Sequence, residues 1–227
     1  MQAVILAAGN GIRMGKLTKT TPKPMLKIKG KSILEHKISA LPKEIDEVIL
    51  VIGYRGEQIM DYFKKEFAGK KIRYFFQTKL NGTGGALHLV KSVLKDKFLV
   101  MNGDDLYLKK DLKKLLKHEL GVLAREIENL GQFGALKTDR RGYLVDVIER
   151  GKNSKNNLVN AGAYILNKNF FECDLVSIGK GEFGLPQTLA KMSKKYKIKV
   201  EKATLWHPIG FPEDLEKAEE IIHKFSA

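Results

Sequence analysis

Short apolar runs alternate with amphipathic stretches through the first half of the chain. The apolar runs have the length and composition of buried strands and lie at residues 3–8, 47–53, 72–77 and 97–102. Between them, apolar residues recur at helical spacing over 31–41, 57–67 and 83–94. Buried strands separated by helices of about 11 residues are typical of βαβ units that form a parallel sheet covered on both faces.

The pattern changes after Lys109. Strand-like segments separated by polar turns lie at 122–127, 133–137, 143–149 and 158–166, and the composition of 151–157 (GKNSKNN) predicts a loop. A helix at 184–194, a strand at 197–205 and a helix from Pro212 to Phe225 follow. The chain contains no internal repeat and no long linker, so we predict one compact α/β unit with an inserted or appended β-rich lobe.

The composition narrows the class of protein. With 227 residues, 43% of them hydrophobic, the chain can bury a sizeable core and is too apolar for a disordered protein. No apolar run approaches the roughly 20 residues of a membrane helix, and the start of the chain lacks the basic leader of a signal peptide. The single Cys173 excludes an intramolecular disulfide and a Cys-rich zinc site, so we expect a cytoplasmic protein.

The net charge of +15 raises the alternative of nucleic-acid binding. Only seven of the 41 basic residues are arginines, however, and the lysines are spread along the chain. Nucleic-acid sites usually cluster basic residues and mix arginine with aromatics. We therefore interpret the lysines as solvated helix faces and expect no nucleic-acid or membrane partner, although the charge would attract small phosphorylated substrates.

A glycine-rich turn follows the first strand, with the sequence Gly9-Asn10-Gly11-Ile12-Arg13-Met14-Gly15. Glycines let a backbone approach a phosphate, but they also occur in ordinary tight turns. The GxGxxxG spacing, with no acidic residue about 20 positions later, argues against a dinucleotide fold. Next comes Thr21-Pro22-Lys23-Pro24, in which two prolines stiffen the segment around Lys23. A stiffened lysine near a glycine turn suits a phosphate site, and a surface turn is the alternative.

These residues resemble a known signature. The segments 6–14 (LAAGNGIRM) and 22–26 (PKPML) are similar to the amino-terminal motif of the sugar-1-phosphate nucleotidylyltransferases, or nucleoside-diphosphate-sugar pyrophosphorylases. Further matches follow in family order at 51–54 (VIGY), 77 with 82–87 (GTGGAL), 102–104 (NGD), 148–150 (IER) and 160–164 (NAGAY). The resemblance implies a Rossmann-like three-layer αβα fold with a mostly parallel mixed sheet and a small β-rich sugar-binding lobe. It also implies one domain, with a nucleotide-binding half at 1–118 and a sugar-binding half at 119–227.

The resemblance implies a reaction as well. A sugar 1-phosphate oxygen would attack the α-phosphorus of a nucleoside triphosphate, and pyrophosphate would leave, with positioning and charge neutralisation as the main catalytic needs. The implied catalytic residues are Arg13 on the β- and γ-phosphates, Lys23 on the α-phosphate and Asp104 on Mg²⁺. The implied nucleotide-binding residues are Leu6, Ala7, Ala8, Gly9, Gly11, Gln77, Gly82 and Thr83. The implied sugar-phosphate-binding residues are Gly134, Glu149, Arg150, Asn160 and Gly162.

One departure from the family pattern concerns the metal. Relatives commonly carry Trp-x-Asp-x-Gly, whose Asp is a second metal ligand, whereas this chain has Pro208 at that position. Asp104, water and substrate phosphates could hold the ion unaided, which is the account we favour. Asp105 or His207 could replace the missing carboxylate, or the chain could be a non-catalytic relative that binds nucleotide sugars. Asp105 is also an alternative to Asp104 as the ligand.

The substrates stay open at this point. The length of the chain is similar to short family members that act on mannose, heptose or muramic sugars. Similar short relatives transfer cytidylyl groups to inositol phosphate or phosphocholine, and this is the alternative activity. Neither the nucleobase nor the choice between monomer and homo-oligomer follows from the sequence.

Overall fold

The computed structural model describes residues 1–128, 133–148 and 157–225. Its helices are α1 (Ile33–Ala40), α2 (Gly56–Phe63), α3 (Gly82–Leu89), α4 (Lys109–Leu115), α5 (Leu185–Met192) and α6 (Pro212–Ile221). Its strands are β1 (Gln2–Ala7), β2 (Lys27–Ile28), β3 (Lys31–Ser32), β4 (Glu47–Ile52), β5 (Glu66–Phe67), β6 (Lys70–Phe76), β7 (Lys97–Asn102), β8 (Asp105–Tyr107), β9 (Gly121–Glu126), β10 (Ala135–Thr138), β11 (Leu144–Ile148), β12 (Leu158–Asn167), β13 (Val176–Gly179), β14 (Glu182–Gly184), β15 (Lys199–Lys202) and β16 (Trp206–Pro208). Short 3₁₀ turns lie at Ile12–Thr18, Lys23–Met25, Lys91–Val93, Lys168–Glu172 and Ile222–Phe225.

One large mixed sheet forms the centre of the molecule. Its strand order is β11-β10-β12-β7-β1-β4-β6-β5, with β9 on β12 and β15 on β9. The strands β7, β1, β4 and β6 are parallel, and β12 joins them in the antiparallel sense. The continuous apolar sequences of β1 and β4 are explained by burial on both faces.

Helices cover the two faces of this sheet. The side chains of α1, α2 and α4 belong to one apolar cluster, which includes Leu34, Phe63 and Leu112. The side chains of α3 and α5 belong to another, which includes Leu87 and Leu189. The three-layer Rossmann-like fold predicted from the sequence is therefore confirmed.

The register of the parallel strands gathers the predicted site at one edge. Leu6 of β1 lies opposite Asn102 of β7, and Ala7 lies opposite Ile52 of β4, so these three strands end together. Close packing continues just beyond their ends, because a Cβ atom on Gly103 would lie 2.6 Å from the Leu6 carbonyl oxygen. Carboxyl ends of parallel strands are where α/β proteins place ligands.

Several boundaries differ from the sequence prediction. The helix predicted at 57–67 ends at Phe63, because Lys64 and Ala68 adopt positive φ, and the last two residues instead form β5. The helix predicted at 83–94 gives way to a 3₁₀ turn after Leu89, and the strand predicted at 197–205 is shorter. The sequence prediction missed α4, the β13–β14 hairpin and the β8–β16 pair.

Two further predictions concern a polar loop and the absence of membrane-spanning segments. The loop predicted at 151–157 lies outside the described residues apart from Asn157. Within the described part of the chain, we find no helix with the length and apolarity needed to span a bilayer.

Candidate active site

Lys23 and Asp104 form an ion pair at the carboxyl edge of the sheet. Lys23 opens a 3₁₀ turn between Pro22 and Pro24, and its side chain is buried. Its Nζ donates to Asp104 Oδ2 at 2.5 Å. Asp104 follows β7 and its side chain is one-third exposed, so its carboxylate is accessible to a cation or a ligand in the cleft. The structure thus brings together two of the three residues predicted to be catalytic.

The glycine-rich turn packs directly against Lys23. Gly11 has a φ of +64°, and a Cβ atom there would lie 3.0 Å from Lys23 Cβ. The Gly11 carbonyl accepts hydrogen bonds from Met14 N at 2.9 Å and Thr18 Oγ1 at 3.0 Å, which closes the turn. Arg13 projects from it, exposed, with its guanidinium carbon 5.2 Å from the centre of the Phe211 ring.

A cavity of about 600 Å³ runs along the glycine-rich turn. We call it the nucleotide cavity, since every residue predicted to bind nucleotide lines it. These residues are Leu6, Ala7, Ala8, Gly9, Gly11, Gln77, Gly82 and Thr83. Arg13, Lys23 and Asp104 line the same space. The proposed triphosphate contacts and the proposed base contacts are therefore parts of one cleft.

The far end of this cavity is built around Gln77 and Gly82. The buried Gln77 donates its Nε2 to Asn81 Oδ1 at 2.8 Å and to the Gly82 carbonyl at 3.3 Å. Gly82 has a φ of +84°, and a Cβ atom there would lie 2.5 Å from the carbonyl oxygen of Phe183. The β13–β14 hairpin, which the sequence prediction missed, therefore covers this end of the cavity. The Thr83 hydroxyl accepts from Leu185 N at 3.0 Å, so Thr83 also links α3 to α5.

A second cavity, of about 480 Å³, adjoins the first. We call it the acceptor cavity; Arg13, Asn102 and Asp104 line both spaces. Its own lining includes Gly134 and Asn160, two of the residues predicted to bind the sugar phosphate, together with Phe133 and Trp206. The two aromatic rings meet edge to face with centroids 5.2 Å apart, and the apolar wall they form was not among the predicted site residues.

Asn160 lines the acceptor cavity, whereas the neighbouring Gly162 is buried and is not among the residues that line it. The Asn160 side chain accepts from Gly162 N at 3.0 Å and donates to the Tyr164 hydroxyl at 2.7 Å. Gly162 has a φ of +72°, and a Cβ atom there would lie 2.1 Å from Asn102 Nδ2. Only glycine fits at this point. Glu149 and Arg150, also predicted to bind the sugar phosphate, lie outside the described residues.

A buried polar network lies behind Asp104. Asp105 Oδ2 accepts from the Tyr107 hydroxyl at 3.0 Å and from Asn102 Nδ2 at 3.3 Å. Burial, followed by the nearby charge of Asp104, raises the pKa of Asp105 to about 7. Burial also lowers the pKa of Lys37, whose ammonium lies in the same network, to about 8. Tyr107 and Lys37 were not among the predicted site residues, although a lysine in the apolar stripe of α1 was a signal in the sequence.

The structure separates the two candidates for the missing second carboxylate, Asp105 and His207. Pro208 lies directly opposite Asp105 in the β8–β16 pair. His207 turns away from the cleft, since its Nε2 lies 2.7 Å from the Asp214 carbonyl oxygen of α6. In the described residues, no group of three or more His, Cys, Asp or Glu side chains could hold a metal ion.

The donor set at Asp104 nevertheless fits Mg²⁺. One partly exposed carboxylate opens into a cleft wide enough for water and phosphate oxygens. Mg²⁺ usually keeps several waters and binds through one or two carboxylates plus substrate phosphates. A site with a single carboxylate is compatible with that chemistry.

Comparison with known proteins supports a family assignment. A family model described as nucleotidyl transferase matches residues 2–224. The bifunctional protein GlmU of Methanocaldococcus jannaschii is 36% identical over 98% of this chain, which spans 54% of that relative's length. The D-glycero-α-D-manno-heptose 1-phosphate guanylyltransferase of Campylobacter jejuni is 33% identical over 94% of this chain and 96% of its own. The crystal structure of HddC from Yersinia pseudotuberculosis superposes with a TM-score of 0.77 and 27% identity, covering 97% of this chain and 99% of its own. The chain, with its glycine-rich turn, its paired Lys23 and Asp104 and its two adjoining cavities, belongs to the nucleotidyl transferase family.

Proposed function

We propose that this chain joins a nucleoside triphosphate to a sugar 1-phosphate, giving a nucleoside-diphosphate sugar and pyrophosphate. A phosphate oxygen of the sugar 1-phosphate forms a bond to the α-phosphorus, and the bond from that phosphorus to the oxygen bridging the β-phosphate breaks. The observation that carries the proposal is the meeting of the nucleotide and acceptor cavities at Asp104, beside the ammonium of Lys23.

In this proposal, positively charged side chains of the protein neutralise the negative charge of the phosphates. Lys23 stands where the two cavities meet, so its ammonium is suited to the α-phosphate, where negative charge builds up during transfer. Arg13 lines both cavities and extends from the turn beside Gly11, which suits the β- and γ-phosphates. The buried position of Lys23 removes the freedom of a long side chain before substrate binds.

Asp104 is the residue that would hold Mg²⁺. When bound, the ion would supply positive charge to the phosphate oxygens and help to align the triphosphate. Asp105 is buried and its Oδ2 accepts hydrogen bonds from Tyr107 and Asn102, so we assign it a supporting role.

The acceptor cavity combines polar and apolar groups in the way that sugar sites do. The Asn160 side chain and the Gly134 backbone offer hydrogen bonds, and the Trp206–Phe133 wall offers a flat apolar surface for a sugar ring. Glu149 and Arg150 stay proposed sugar-phosphate contacts on the strength of the family resemblance. Soluble phosphorylated substrates and the lone Cys173 agree with a cytoplasmic role.

The experiment is pyrophosphate release from purified protein with Mg²⁺ and a matrix of triphosphates and acceptors. GTP with manno-configured sugar 1-phosphates comes first, because the heptose 1-phosphate guanylyltransferase aligns over nearly its full length. UTP with hexose and N-acetylhexosamine 1-phosphates follows, then CTP with inositol phosphate or phosphocholine. We expect release with a sugar 1-phosphate, and we expect Asp104→Asn to shift the Mg²⁺ titration to higher concentration.

The rival functions have their own outcomes in the same experiment. Release with CTP and a non-sugar acceptor alone would establish the alternative cytidylyltransferase. Nucleotide binding without release for any pair would establish a non-catalytic relative, as the Pro208 departure suggests. Binding to a random DNA duplex that persists near 200 mM salt, roughly where non-specific attraction fades, would support a nucleic-acid role instead.

A further inference from the structure

A lysine occupies the apolar face of α1. Ile33, Leu34 and Ile38 are fully buried, and Lys37, on the same stripe, is only 2% exposed. Lysine is almost never buried to this extent unless its ammonium is paired, because removing a charged group from water is energetically costly. A residue that breaks the local apolar pattern in this way is commonly retained for function.

The ammonium of Lys37 makes two contacts with β8, which directly follows Asp104. Its Nζ donates a short hydrogen bond to the main-chain carbonyl of Asp105. The same ammonium lies 4.4 Å from the centre of the Tyr107 ring, within the range of a cation–π interaction. The Tyr107 hydroxyl in turn contacts Asp105 Oδ2 and the Ala161 carbonyl.

The strand that Lys37 contacts lies outside the ladder of the large sheet. Among the described residues, β8 pairs with β16 and with no strand of the large sheet. Asp104, the residue before β8, has its carbonyl held from the β16 side by Ile209 N at 3.1 Å. Two successive carbonyls, those of Asp104 and Asp105, are therefore each fixed by one donor, and the second donor is Lys37.

We propose that Lys37 is a positioning residue: its ammonium fixes the main chain at Asp105 and thereby holds the Asp104 carboxylate in place beside Lys23. The inference rests on the proposed nucleotidyl transfer at Asp104. A displaced carboxylate would bind the metal less well and align the triphosphate less well, and supporting partners of metal ligands commonly contribute 10- to 100-fold, to order of magnitude, in affinity or activity.

The chain offers a matched control. Lys70 is also a buried lysine, at 8% exposure, and its Nζ donates to the main-chain carbonyl of Ile45 at 2.6 Å. Lys70 opens β6 next to Lys71, which lies opposite Glu47 at the start of β4. It therefore sits at the amino edge of the sheet, opposite the candidate active site. Loss of a buried lysine tether there affects stability but leaves Asp104 in place.

The experiment compares Lys37→Met with Lys70→Met in the full chain. Readouts are melting temperature, kcat and KM for the triphosphate, and binding of Mn²⁺ to the nucleotide-loaded protein by electron paramagnetic resonance. We expect Lys37→Met to lower kcat about 10-fold or more and to weaken Mn²⁺ binding by a similar factor. We expect Lys70→Met to leave kcat and Mn²⁺ affinity near the wild-type values, even if its melting temperature falls as much as that of Lys37→Met.

Several outcomes decide the matter. Wild-type kcat and Mn²⁺ affinity in Lys37→Met, or equal losses in Lys70→Met, would overturn the proposal. If Lys37→Met does not fold, the decision passes to Lys37→Gln and Lys70→Gln, whose side chains are polar but uncharged and one atom shorter, so that the ammonium tether is lost. Loss of Mn²⁺ affinity confined to the first variant supports the role, and unchanged affinity overturns it. Absence of pyrophosphate release from the wild type counts against the proposed function, while the Mn²⁺ comparison still tests Lys37.

Discussion

The ammonium of Lys23 lies 2.5 Å from the Asp104 carboxylate, although 81 residues separate the two along the chain. The pair joins the glycine-rich turn after β1 to the end of β7. Each partner also faces the nucleotide cavity. We expect a bound substrate to divide this pair, so that a phosphate replaces Asp104 as the partner of Lys23 and a metal ion replaces Lys23 as the partner of Asp104.

Replacing Lys23 by alanine removes the cation that we place at the α-phosphate. We expect Lys23→Ala to lower kcat for pyrophosphate release by on the order of 100-fold or more, because charge at the reacting phosphate would no longer be neutralised. Lys19→Ala, an exposed lysine of the same loop, is the control and should retain activity. Turnover in Lys23→Ala close to that of Lys19→Ala would remove Lys23 from the mechanism.

Introducing a carboxylate at position 208 tests the account of the metal. Pro208 lines the acceptor cavity and lies opposite Asp105, so an aspartate there would stand near Asp104. We expect Pro208→Asp to lower the Mg²⁺ concentration that gives half-maximal pyrophosphate release several-fold, since a second carboxylate strengthens binding of a hard cation. Pro208→Asn introduces an uncharged side chain with the shape of aspartate, so it should not lower this Mg²⁺ concentration. An identical Mg²⁺ titration for both variants would show that the ion does not sit between Asp104 and position 208.

Adding a methyl group at Gly162 should disturb both stability and the acceptor cavity. Gly162 has a φ of +72°, and the new Cβ would lie 2.1 Å from Asn102 Nδ2. Gly142, at +75°, offers the same backbone strain, but its new Cβ would meet only the mobile end of Lys199. We expect Gly142→Ala to cost about 1 kcal/mol of unfolding free energy in urea and Gly162→Ala about 2 kcal/mol or more. Equal losses would mean that Asn102 can move aside freely.

His88 should make the protein less stable in mild acid. Burial lowers the pKa of His88, with a smaller contribution from Lys91, and its Nε2 is buried with no hydrogen-bond partner among the residues that the structure describes. The unfolded chain therefore takes up a proton at its ordinary pKa of about 6.5, while the folded protein does so at lower pH. Between these two pKa values the unfolded state binds more protons, so the free energy of unfolding falls as the pH falls.

Urea unfolding across this pH range measures that effect. His88→Leu should flatten the dependence below about pH 6.5, because the titrating group is gone. His223→Gln, at an exposed position, should leave the slope as in the wild type. The same slope in His88→Leu and wild type would place the dependence on other groups.

The fold class could be predicted from local sequence features, whereas most residues that line the nucleotide cavity were indicated by the family resemblance. The continuous apolar sequence of strands such as β4 indicates burial. The glycines around Gly9 indicate a turn, and the prolines on both sides of Lys23 indicate a stiff segment. The parallel register then brings Leu6 beside Asn102, so residues at the strand ends had to meet. At the ends of these strands, the local sequence pattern and the sheet topology indicate the same arrangement.

The missed parts depend on contacts between segments far apart in the sequence. The β8–β16 pair joins Tyr107 to Trp206, and each strand has only three residues, too few for a period-two pattern to stand out. The β13–β14 hairpin packs on Gly82, and the composition of the hairpin sequence does not predict this contact. Lys37 was visible as a lysine among apolar residues, but its partner on β8 follows only from the tertiary structure.

A crystal structure with Mg²⁺ and a non-hydrolysable triphosphate tests the central claim most directly. We predict the triphosphate in the nucleotide cavity, with the α-phosphate at Lys23, the outer phosphates at Arg13 and a metal ion on Asp104. A nucleotide bound elsewhere, or in this cavity with Lys23 and Asp104 still paired to each other and turned away from it, would contradict the account.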